Sequence, residues 1–175
     1  MRKICVWRSI FGVLLCLAFL AACDEAPEKT GEQTGYAALT QAQQEAVDHF
    51  LATHSGLGAD GDKDKLILCR MADLNYDGID DVVVLYAPAK GTQPVEGHSG
   101  NAMCVLVSRE GGFTATNSLP APHERQSIQF RDIDGKPPLE FVVSGYKGAR
   151  TGLGVYRVYG ETVENLFGES MDECC

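Results

Sequence analysis

An acidic, glycine-containing turn followed by an apolar run occurs twice in this chain, about sixty residues apart. In the first copy, the turn at 73–78 precedes Asp81-Val82-Val83-Val84. In the second copy, the turn at 132–135 precedes Glu140-Phe141-Val142-Val143. Each copy has room for four short antiparallel strands, and a repeat of this period is typical of stacked or radial β units.

Eight runs rich in β-branched and aromatic residues, separated by turn residues, predict β-strands. In chain order these runs are 66–69, 82–86, 103–107, 113–116, 127–130, 141–146, 155–159 and 163–167. Glu110-Gly111-Gly112 and Gly160-Glu161 are tight-turn signals that predict hairpins.

The predicted fold is therefore mainly β, with two four-stranded antiparallel repeat units that resemble propeller blades and one N-terminal helix. A propeller needs about 4–8 blades, so two copies cannot close a ring. We expect a compact pair of small sheets, or one curved sheet, partly covered by the helix.

One helix is predicted before the strands. Thr40 is typical of an N-cap, and the helix extends from Gln41 to about His54. Gly56 and Gly58 are expected to end it. Its apolar residues near helical spacing are Ala42, Ala46, Val47, Phe50 and Leu51.

The chain divides into four predicted segments. Residues 1–22 are a signal peptide, and residues 23–38, with Pro27, Gly31 and Gly35 among polar residues, are a flexible tether. The helix occupies residues 39–58. A β-rich repeat domain occupies residues 59–175, with copies at about 66–118 and 125–168.

The N-terminal segment carries the features of an export signal. Arg2, Lys3 and Arg8 precede an uncharged run from residue 9 to residue 22, which is short for a membrane span of about 20 residues. The run ends in Leu20-Ala21-Ala22-Cys23, which resembles the lipobox of bacterial lipoproteins. That resemblance implies cleavage before Cys23 and acylation of its thiol with chains such as palmitate. An uncleaved N-terminal anchor is the alternative.

The residue after the lipidated cysteine bears on location. In enterobacterial lipoproteins, an aspartate at the position of Asp24 resembles the signal for retention in the inner membrane. The resemblance favours a lipid anchor on the periplasmic face of the inner membrane, and the outer membrane remains the alternative.

The charge balance excludes one class of partner. The chain has 15 Lys and Arg against 24 Asp and Glu, and removal of the signal leaves 12 against 24, a net charge of −12. Such a surface repels nucleic-acid phosphates, so we expect no nucleic-acid partner. The expected partners are the membrane, through the lipid, and an envelope protein or glycan.

Four cysteines remain for disulfides after Cys5 and Cys16 leave with the signal and Cys23 takes the lipid. The candidates are Cys69, Cys104, Cys174 and Cys175, which allow three pairings. Cys69 and Cys104 lie in strand-like runs and would bridge neighbouring strands. A crossed arrangement, with the C-terminus joined to either of them, is equally allowed.

The loop from Asp73 to Asp81 carries the clearest chemistry. Ca²⁺ takes 6–8 oxygen ligands, and a sharp turn at Gly78 allows alternate side chains to face one centre. The predicted ligands are the side chains of Asp73, Asn75, Asp77 and Asp81 and the carbonyl of Ile79. An EF-hand is excluded because Val84 stands where that loop needs a glutamate. A metal-free turn is the alternative.

With these residues in view, residues 66–168 resemble two FG-GAP/VCBS-type repeats. That resemblance implies a structural Ca²⁺ ion at the first loop. The second copy keeps Asp132, Asp134 and Glu140, but Lys136 stands where another acid would be expected, and Pro137-Pro138 stiffen the loop. We therefore predict no second full calcium site.

No strong catalytic motif is found in the sequence. A hydrolase would use Ser99 as the nucleophile and His98 or His123 as the base. We do not favour this function, because Gly97-His98-Ser99-Gly100 does not match a nucleophile elbow. The predicted function is a non-enzymatic, membrane-anchored binding or structural module. The alternative is an inhibitor of an envelope enzyme such as lysozyme, acting through the loop from Lys147 to Gly152, which we expect to be a long hairpin connection.

Overall fold

The computed structural model describes residues 39–54, 58 and 61–169. The signal peptide, the tether, Cys23, Gly56, Cys174 and Cys175 lie outside the described residues, and the predictions for them remain predictions. Within these ranges, the helix is not long and apolar enough to cross a membrane.

The predicted helix is confirmed as α1 (Gln41–Thr53), and Thr40 is its N-cap. Thr40 and Gln43 form a capping box. The Thr40 hydroxyl accepts a hydrogen bond from Gln43 N–H at 3.3 Å, and Gln43 Oε1 accepts one from Thr40 N–H at 2.9 Å. These bonds satisfy amides that the helix leaves without intrahelical partners.

The buried residues of α1 differ in part from the predicted apolar stripe. Gln43, Val47, Phe50 and Leu51 are buried, whereas Ala42 is exposed and Ala46 is half-buried. Gln43 is buried although it is polar, and its side-chain amide Nε2 donates to the carbonyl oxygen of Asp80 at 3.1 Å. A polar residue therefore begins the buried stripe.

All eight predicted strands are confirmed, and one short strand is added. In chain order they are β1 (Lys65–Ala72), β2 (Asp81–Ala87), β3 (Ala102–Arg109), β4 (Gly112–Ala115), β5 (Leu119–Pro120), β6 (Glu124–Arg131), β7 (Glu140–Lys147), β8 (Arg150–Tyr159) and β9 (Thr162–Glu169). β5 is the addition; it pairs with β3 through two residue pairs.

The strands form two antiparallel sheets, which confirms the mainly β prediction. The first sheet has the order β1-β2-β3-β4, with β5 also beside β3, and the second has the order β6-β7-β8-β9. Each group of four strands follows chain order, as in an up-and-down meander. This layout fits the blade-like units predicted from the sequence.

The first sheet is covered on both faces, which explains the uninterrupted apolar run of β2. Val83 and Leu85 belong to a core shared with the second sheet. Val82 and Val84 belong to a second core, which includes Phe50 of α1. The helix, the first sheet and the second sheet therefore form three successive layers.

The second sheet is covered on one face among the described residues, and β7 alternates accordingly. Phe141 and Val143 are buried against the first sheet, while Val142 and Ser144 are half-buried on the opposite face. Phe141 stacks on Tyr156 of β8 with ring centroids 5.5 Å apart.

Three polar contacts join the two sheets outside the apolar core. Leu139 N–H donates to the carbonyl oxygen of Leu74 at 3.0 Å. Arg109 donates to the carbonyl oxygen of Gly160 at 2.9 Å. The Asn117 side chain accepts from Val163 N–H at 2.7 Å and donates to Val163 O at 3.3 Å, so it binds the backbone of β9 as a neighbouring strand would.

The direct Cys69–Cys104 bridge is not formed in the structure, where both cysteines are buried free thiols. Val84 lies between them, since it pairs with Cys69 on one side and Cys104 on the other. Two strand spacings of about 4.8 Å separate the two Cα atoms by roughly 10 Å, beyond the reach of a disulfide. The predicted neighbouring-strand geometry was wrong because β2 intervenes.

The expected long connection from Lys147 to Gly152 was also wrong. Lys147 is the last residue of β7 and Arg150 the first of β8, and they pair across the two-residue turn Gly148-Ala149. Gly148 has a positive φ of 61°, which suits a tight hairpin turn. The pairing continues to Gly152, so the predicted loop is mostly strand.

Candidate functional site

The first candidate loop, residues 73–80, joins β1 to β2 and is organised by short polar side chains. Asn75 Oδ1 accepts a hydrogen bond from Asp77 N–H at 2.9 Å, and Asp77 Oδ1 accepts one from Ile79 N–H at 2.9 Å. In both cases a side-chain oxygen two residues earlier replaces a backbone acceptor. The alternation of Asn and Asp therefore shapes the loop locally.

Asp73, the first residue of the loop, binds backbone amides near the other end of the turn. Its Oδ1 accepts from Asp77 N–H at 3.1 Å, and its Oδ2 accepts from Gly78 N–H at 2.9 Å. Gly78 has φ 87°, a conformation that glycine adopts without steric cost. The turn predicted at Gly78 is confirmed.

Asp81, at the start of β2, is a fully buried clamp. Its Oδ2 accepts from Leu74 N–H at 3.1 Å, and its Oδ1 accepts from Ser108 N–H at 2.7 Å. Burial raises the pKa of Asp81, whereas these hydrogen bonds act in the opposite direction. The carboxylate thus connects the loop, the start of β2 and the end of β3.

Asp77 is exposed and makes a second contact to the same end of β3. Its Oδ2 accepts from the Ser108 hydroxyl at 2.7 Å and from Asn75 Nδ2 at 2.9 Å. The hydrogen bond from Ser108 and the amide of Ile79 hold the pKa of Asp77 below its usual value. Asp77 is consequently a stable anion near neutral pH.

These contacts determine how the predicted calcium ligands fit an ion. Asp73, Asn75 and Asp77 share one turn. Both oxygens of Asp73, Asn75 Oδ1 and Asp77 Oδ1 each accept one hydrogen bond and retain a lone pair, whereas Asp77 Oδ2 already accepts two. Asp81 is different, because both of its oxygens bind backbone amides in a solvent-free position. The donor set compatible with a hard cation is therefore Asp73, Asn75, Asp77 and the carbonyl of Ile79.

The second loop repeats the clamp 59 positions later in the chain. Ile133 N–H donates to Glu140 Oε2 at 2.9 Å, as Leu74 N–H donates to Asp81. Glu140 is 1 % exposed and begins β7, as Asp81 begins β2. The sequence repeat is therefore also a repeat of three-dimensional contacts.

The backbone conformation of the two loops also corresponds. Tyr76 has φ 60°, and Gly135, which is 59 positions later, has φ 70°. A positive φ is uncommon for a tyrosine, so its occurrence in the first loop marks a turn that the surrounding contacts impose. Glycine takes the same position in the second loop without that strain.

The second loop contains its own cation, the guanidinium of Arg157. Asp132, Asp134 and Glu140 bring carboxylate oxygens within 4.8 Å of one another. Arg157 of β8 is paired with Glu140 in the sheet register, forms a salt bridge with it and lies 2.9 Å from Asp134 Oδ1. Arg157 also donates to the Tyr159 hydroxyl at 3.0 Å. Arg157 therefore supplies positive charge to the cluster, as a metal ion would.

A cleft of about 580 Å³ opens beside the first loop. Residues 78–80 form one wall, the start of α1 forms another, and the β3–β4 hairpin forms a third. Met71, Ile79 and Phe113 provide apolar surface, and Arg109 provides a positive charge. Ile79 is 55 % exposed, so an apolar side chain faces the opening.

The two histidines considered as candidate bases, His98 and His123, lie close to each other in the structure. The imidazoles of His98 and His123 both lie against Gly100, where an added Cβ would be within 2.8 Å of each Nε2 atom. Ser99 is exposed, and within the described ranges no hydrogen bond joins it to either histidine. The structure thus brings the two bases together without the predicted nucleophile.

A third histidine belongs to a different polar chain. His54 Nε2 lies 3.0 Å from Ser118 Oγ, which lies 2.8 Å from the hydroxyl of buried Tyr86. The His54 ring stacks on Phe50 with centroids 4.4 Å apart, and burial lowers the pKa of His54. This chain satisfies the Tyr86 hydroxyl inside an otherwise apolar layer.

Comparison with known proteins yields no relative. No protein-family model matches the chain, and neither a curated protein nor a solved structure matches it.

Sequence reasoning missed Ser108 and Arg157, which complete the two loops from neighbouring strands. Arg157 had a signal in the sequence, because it interrupts the apolar run Val155-Tyr156-Arg157-Val158 and so places a charge within a predicted strand. Ser108 had no such signal, since a serine at a strand end is common. Its contribution depends on the register of β3.

We expect Asp81→Ala to destabilise the domain by roughly 2–5 kcal/mol, because it leaves two buried amides, of Leu74 and Ser108, without acceptors. Asp81→Asn should cost less, since it retains one acceptor oxygen. Urea denaturation measures both changes. The exposed Asp80, whose side chain lies outside this network, supplies the control Asp80→Asn. Equal stability of the Asp80 and Asp81 variants would contradict the clamp.

We expect Arg157→Met to destabilise the domain strongly, because an uncompensated buried carboxylate such as Glu140 costs roughly 3–5 kcal/mol. The double variant Arg157→Met, Glu140→Gln should recover much of that loss, since the buried charge is removed and an acceptor for Ile133 remains. Denaturant midpoints measure the recovery. Arg150→Met, at the exposed end of the same strand, is the control.

The contact between Arg157 and Asp134 predicts that the stability of the domain changes with pH. Desolvation raises the pKa of Asp134, but the hydrogen bonds from Arg157 and from the Lys136 amide, together with the charges of both residues, hold the pKa below its ordinary value of 3.8. A lowered acid pKa contributes stability that is present above pH 3.8 and lost as the pH falls through the folded-state pKa. Arg157→Met should reduce this acid-dependent loss, and an unchanged pH profile would contradict the assignment.

Proposed function

We propose that the chain is a lipid-anchored protein of the bacterial cell envelope whose β domain is a non-enzymatic binding module. The lipobox-like Leu20-Ala21-Ala22-Cys23 supports the anchor. The observation that supports binding is the cleft beside the first loop, because residues 78–80 of that loop form one of its walls. The loop would thus shape the binding surface.

The proposed role of Ca²⁺ is structural. Asp73, Asn75, Asp77 and the carbonyl of Ile79 would hold the ion, and the ion would offset the repulsion among their oxygens. Asp81 was among the predicted ligands, and we now assign it the clamp that supports the turn from inside. Coordination of the Ile79 carbonyl would hold the backbone of this residue in place and thereby position its apolar side chain, which faces the cleft.

The test of this proposal is thermal unfolding of residues 24–175 with about 1–10 mM Ca²⁺ or with EDTA, given an affinity on the order of 10⁻⁴–10⁻³ M for such sites. At about 10 mM Ca²⁺ the ion should stabilise the domain by about 2.7 kcal/mol for a Kd near 10⁻⁴ M, and by about 1.4 kcal/mol for a Kd near 10⁻³ M, which is a shift of several degrees. Asp77→Ala should abolish that shift.

Asp80→Ala is the matched control, because Asp80 is exposed and adjacent but is not a proposed ligand. It should retain the calcium shift. Identical curves in Ca²⁺ and EDTA would mean that the loop is held by its own amide hydrogen bonds, and the calcium part of the proposal would be withdrawn.

A second candidate function is inhibition of an envelope glycosidase such as lysozyme. The observation that favours it is the projecting β7–β8 hairpin, which places Lys147 and Arg150 side by side at an exposed turn. Arg125 lies over the exposed Tyr146 ring at 5.6 Å and adds a third cation nearby. Such a tip complements the paired carboxylates of a glycoside hydrolase site.

We expect the soluble domain to reduce lysozyme activity if this second function is correct, and Lys147→Ser with Arg150→Ser to relieve the inhibition. Cell-wall lysis assays measure both effects. The control is the pair Lys63→Ser and Lys65→Ser, which removes the same charge from another exposed part of the chain. Unchanged lysis in the presence of excess domain would dismiss this function.

A further inference from the structure

A pair of histidines lies where the two sheets are joined, apart from the calcium loop and the cleft. His98 lies in the connection between β2 and β3, where its N–H donates to Val95 O at 3.1 Å. His123 lies in the segment between β5 and β6, which links the first sheet to the second. Both residues are half-buried, so their rings are fixed on one side and reachable on the other.

Gly100 is the point on which the two rings converge. A Cβ built there would lie 2.7 Å from His98 Nε2 and 2.8 Å from His123 Nε2. The two nitrogens are therefore at most about 5.5 Å apart, the sum of these distances. Gly100 does not have a left-handed backbone, so glycine is required here for space and not for conformation.

Two imidazole nitrogens at this separation are suited to a transition-metal ion. Zn²⁺ binds histidine nitrogen at about 2.0–2.1 Å, so two nitrogens on one ion lie roughly 3–4 Å apart. Rotation of either ring over Gly100, which carries no side chain, would bring the pair within that range. Imidazole is a good ligand for Zn²⁺, Cu²⁺ and Ni²⁺ and a poor one for the hard cations that the acidic loops favour.

The surrounding amides hold the two histidine segments together. Asn101 Nδ2 donates to Pro122 O at 3.0 Å and to His123 O at 3.3 Å, and Gln126 Nε2 donates to His123 O at 2.7 Å. Ala121 N–H donates to Asn101 O at 2.9 Å. The backbone around the pair is thus preorganised, as ligand positions in metal sites generally are.

The hydrogen bonds of the two rings bear on how they would bind a metal ion. A neutral imidazole has one ring nitrogen with a free lone pair, and that nitrogen is the metal ligand. His98 Nε2 lies 3.1 Å from the carbonyl oxygen of Asn101 and therefore carries a proton in this state. Binding an ion at Nε2 moves that proton to Nδ1, and Asn101 O retains the amide of Ala121.

We propose that His98 and His123 form a binding site for a divalent transition-metal ion, with Zn²⁺ as the representative, at the junction of the two sheets. Lys147 and Glu124 both interact electrostatically with His123, and their opposite charges partly offset each other near the ion. Water would fill the remaining coordination positions. The site would fix the connection between the sheets and is independent of the proposed calcium loop.

The test is Zn²⁺ titration by calorimetry on the processed, lipidated chain from Cys23 in detergent, with Cys174→Ser and Cys175→Ser to remove a competing thiol pair. One ion should bind per chain. His98→Gln and His123→Gln, which preserve size and polarity, should each weaken binding by about tenfold or more, the equivalent of 1.4 kcal/mol. His49→Gln, at an exposed position of α1, should bind as the parent does.

A second variant tests the geometry without removing a ligand. Gly100→Ala places a methyl group against both Nε2 atoms and should weaken binding while both histidines remain. Circular dichroism establishes that each variant is folded. Broadening of the His98 and His123 ring signals by substoichiometric Cu²⁺ in NMR spectra reports the site directly. Absence of binding, or equal binding by the parent and the two histidine variants, would overturn the proposal.

Discussion

Each sheet begins its second strand with a carboxylate that is removed from solvent, and the loops depend on how that carboxylate is satisfied. Asp81 and Glu140 occupy equivalent positions, and each accepts the amide of the residue seven positions earlier, Leu74 or Ile133. A buried anion without hydrogen-bond donors would be costly, so the loop must place a backbone amide against each carboxylate. This requirement sets the shape of both loops, and the third strand of each sheet supplies a further donor.

Leu74 carries the effect of the clamp beyond its own sheet. Its side chain is fully buried in the core between the sheets, its N–H binds Asp81, and its carbonyl oxygen accepts the amide of Leu139 in the second loop. One residue therefore joins the loop, the apolar core and the opposite sheet. The two copies differ in the donor from the third strand, which is the amide of Ser108 in one and the guanidinium of Arg157 in the other.

Much of the fold follows from local patterns in the sequence. The apolar run of β2 identified a strand, and the spaced Asp and Asn residues identified the turn before it. The contacts that complete the loops were not predictable, because Arg157 reaches Glu140 only through the register of β7 and β8. The same limit explains the error over Cys69 and Cys104. Each lies in a predicted strand, but the order of the strands places Val84 between them.

The side chain of Asn117 has a consequence for how copies of the chain meet. β9 is the outermost strand of its sheet, and an outermost strand offers backbone groups to any strand of another molecule. Asn117 occupies both the N–H and the carbonyl oxygen of Val163. A foreign strand cannot pair with β9 at that position without displacing an amide of the same chain. At high local concentration, this obstruction favours separate molecules over continuous sheets and fibrils.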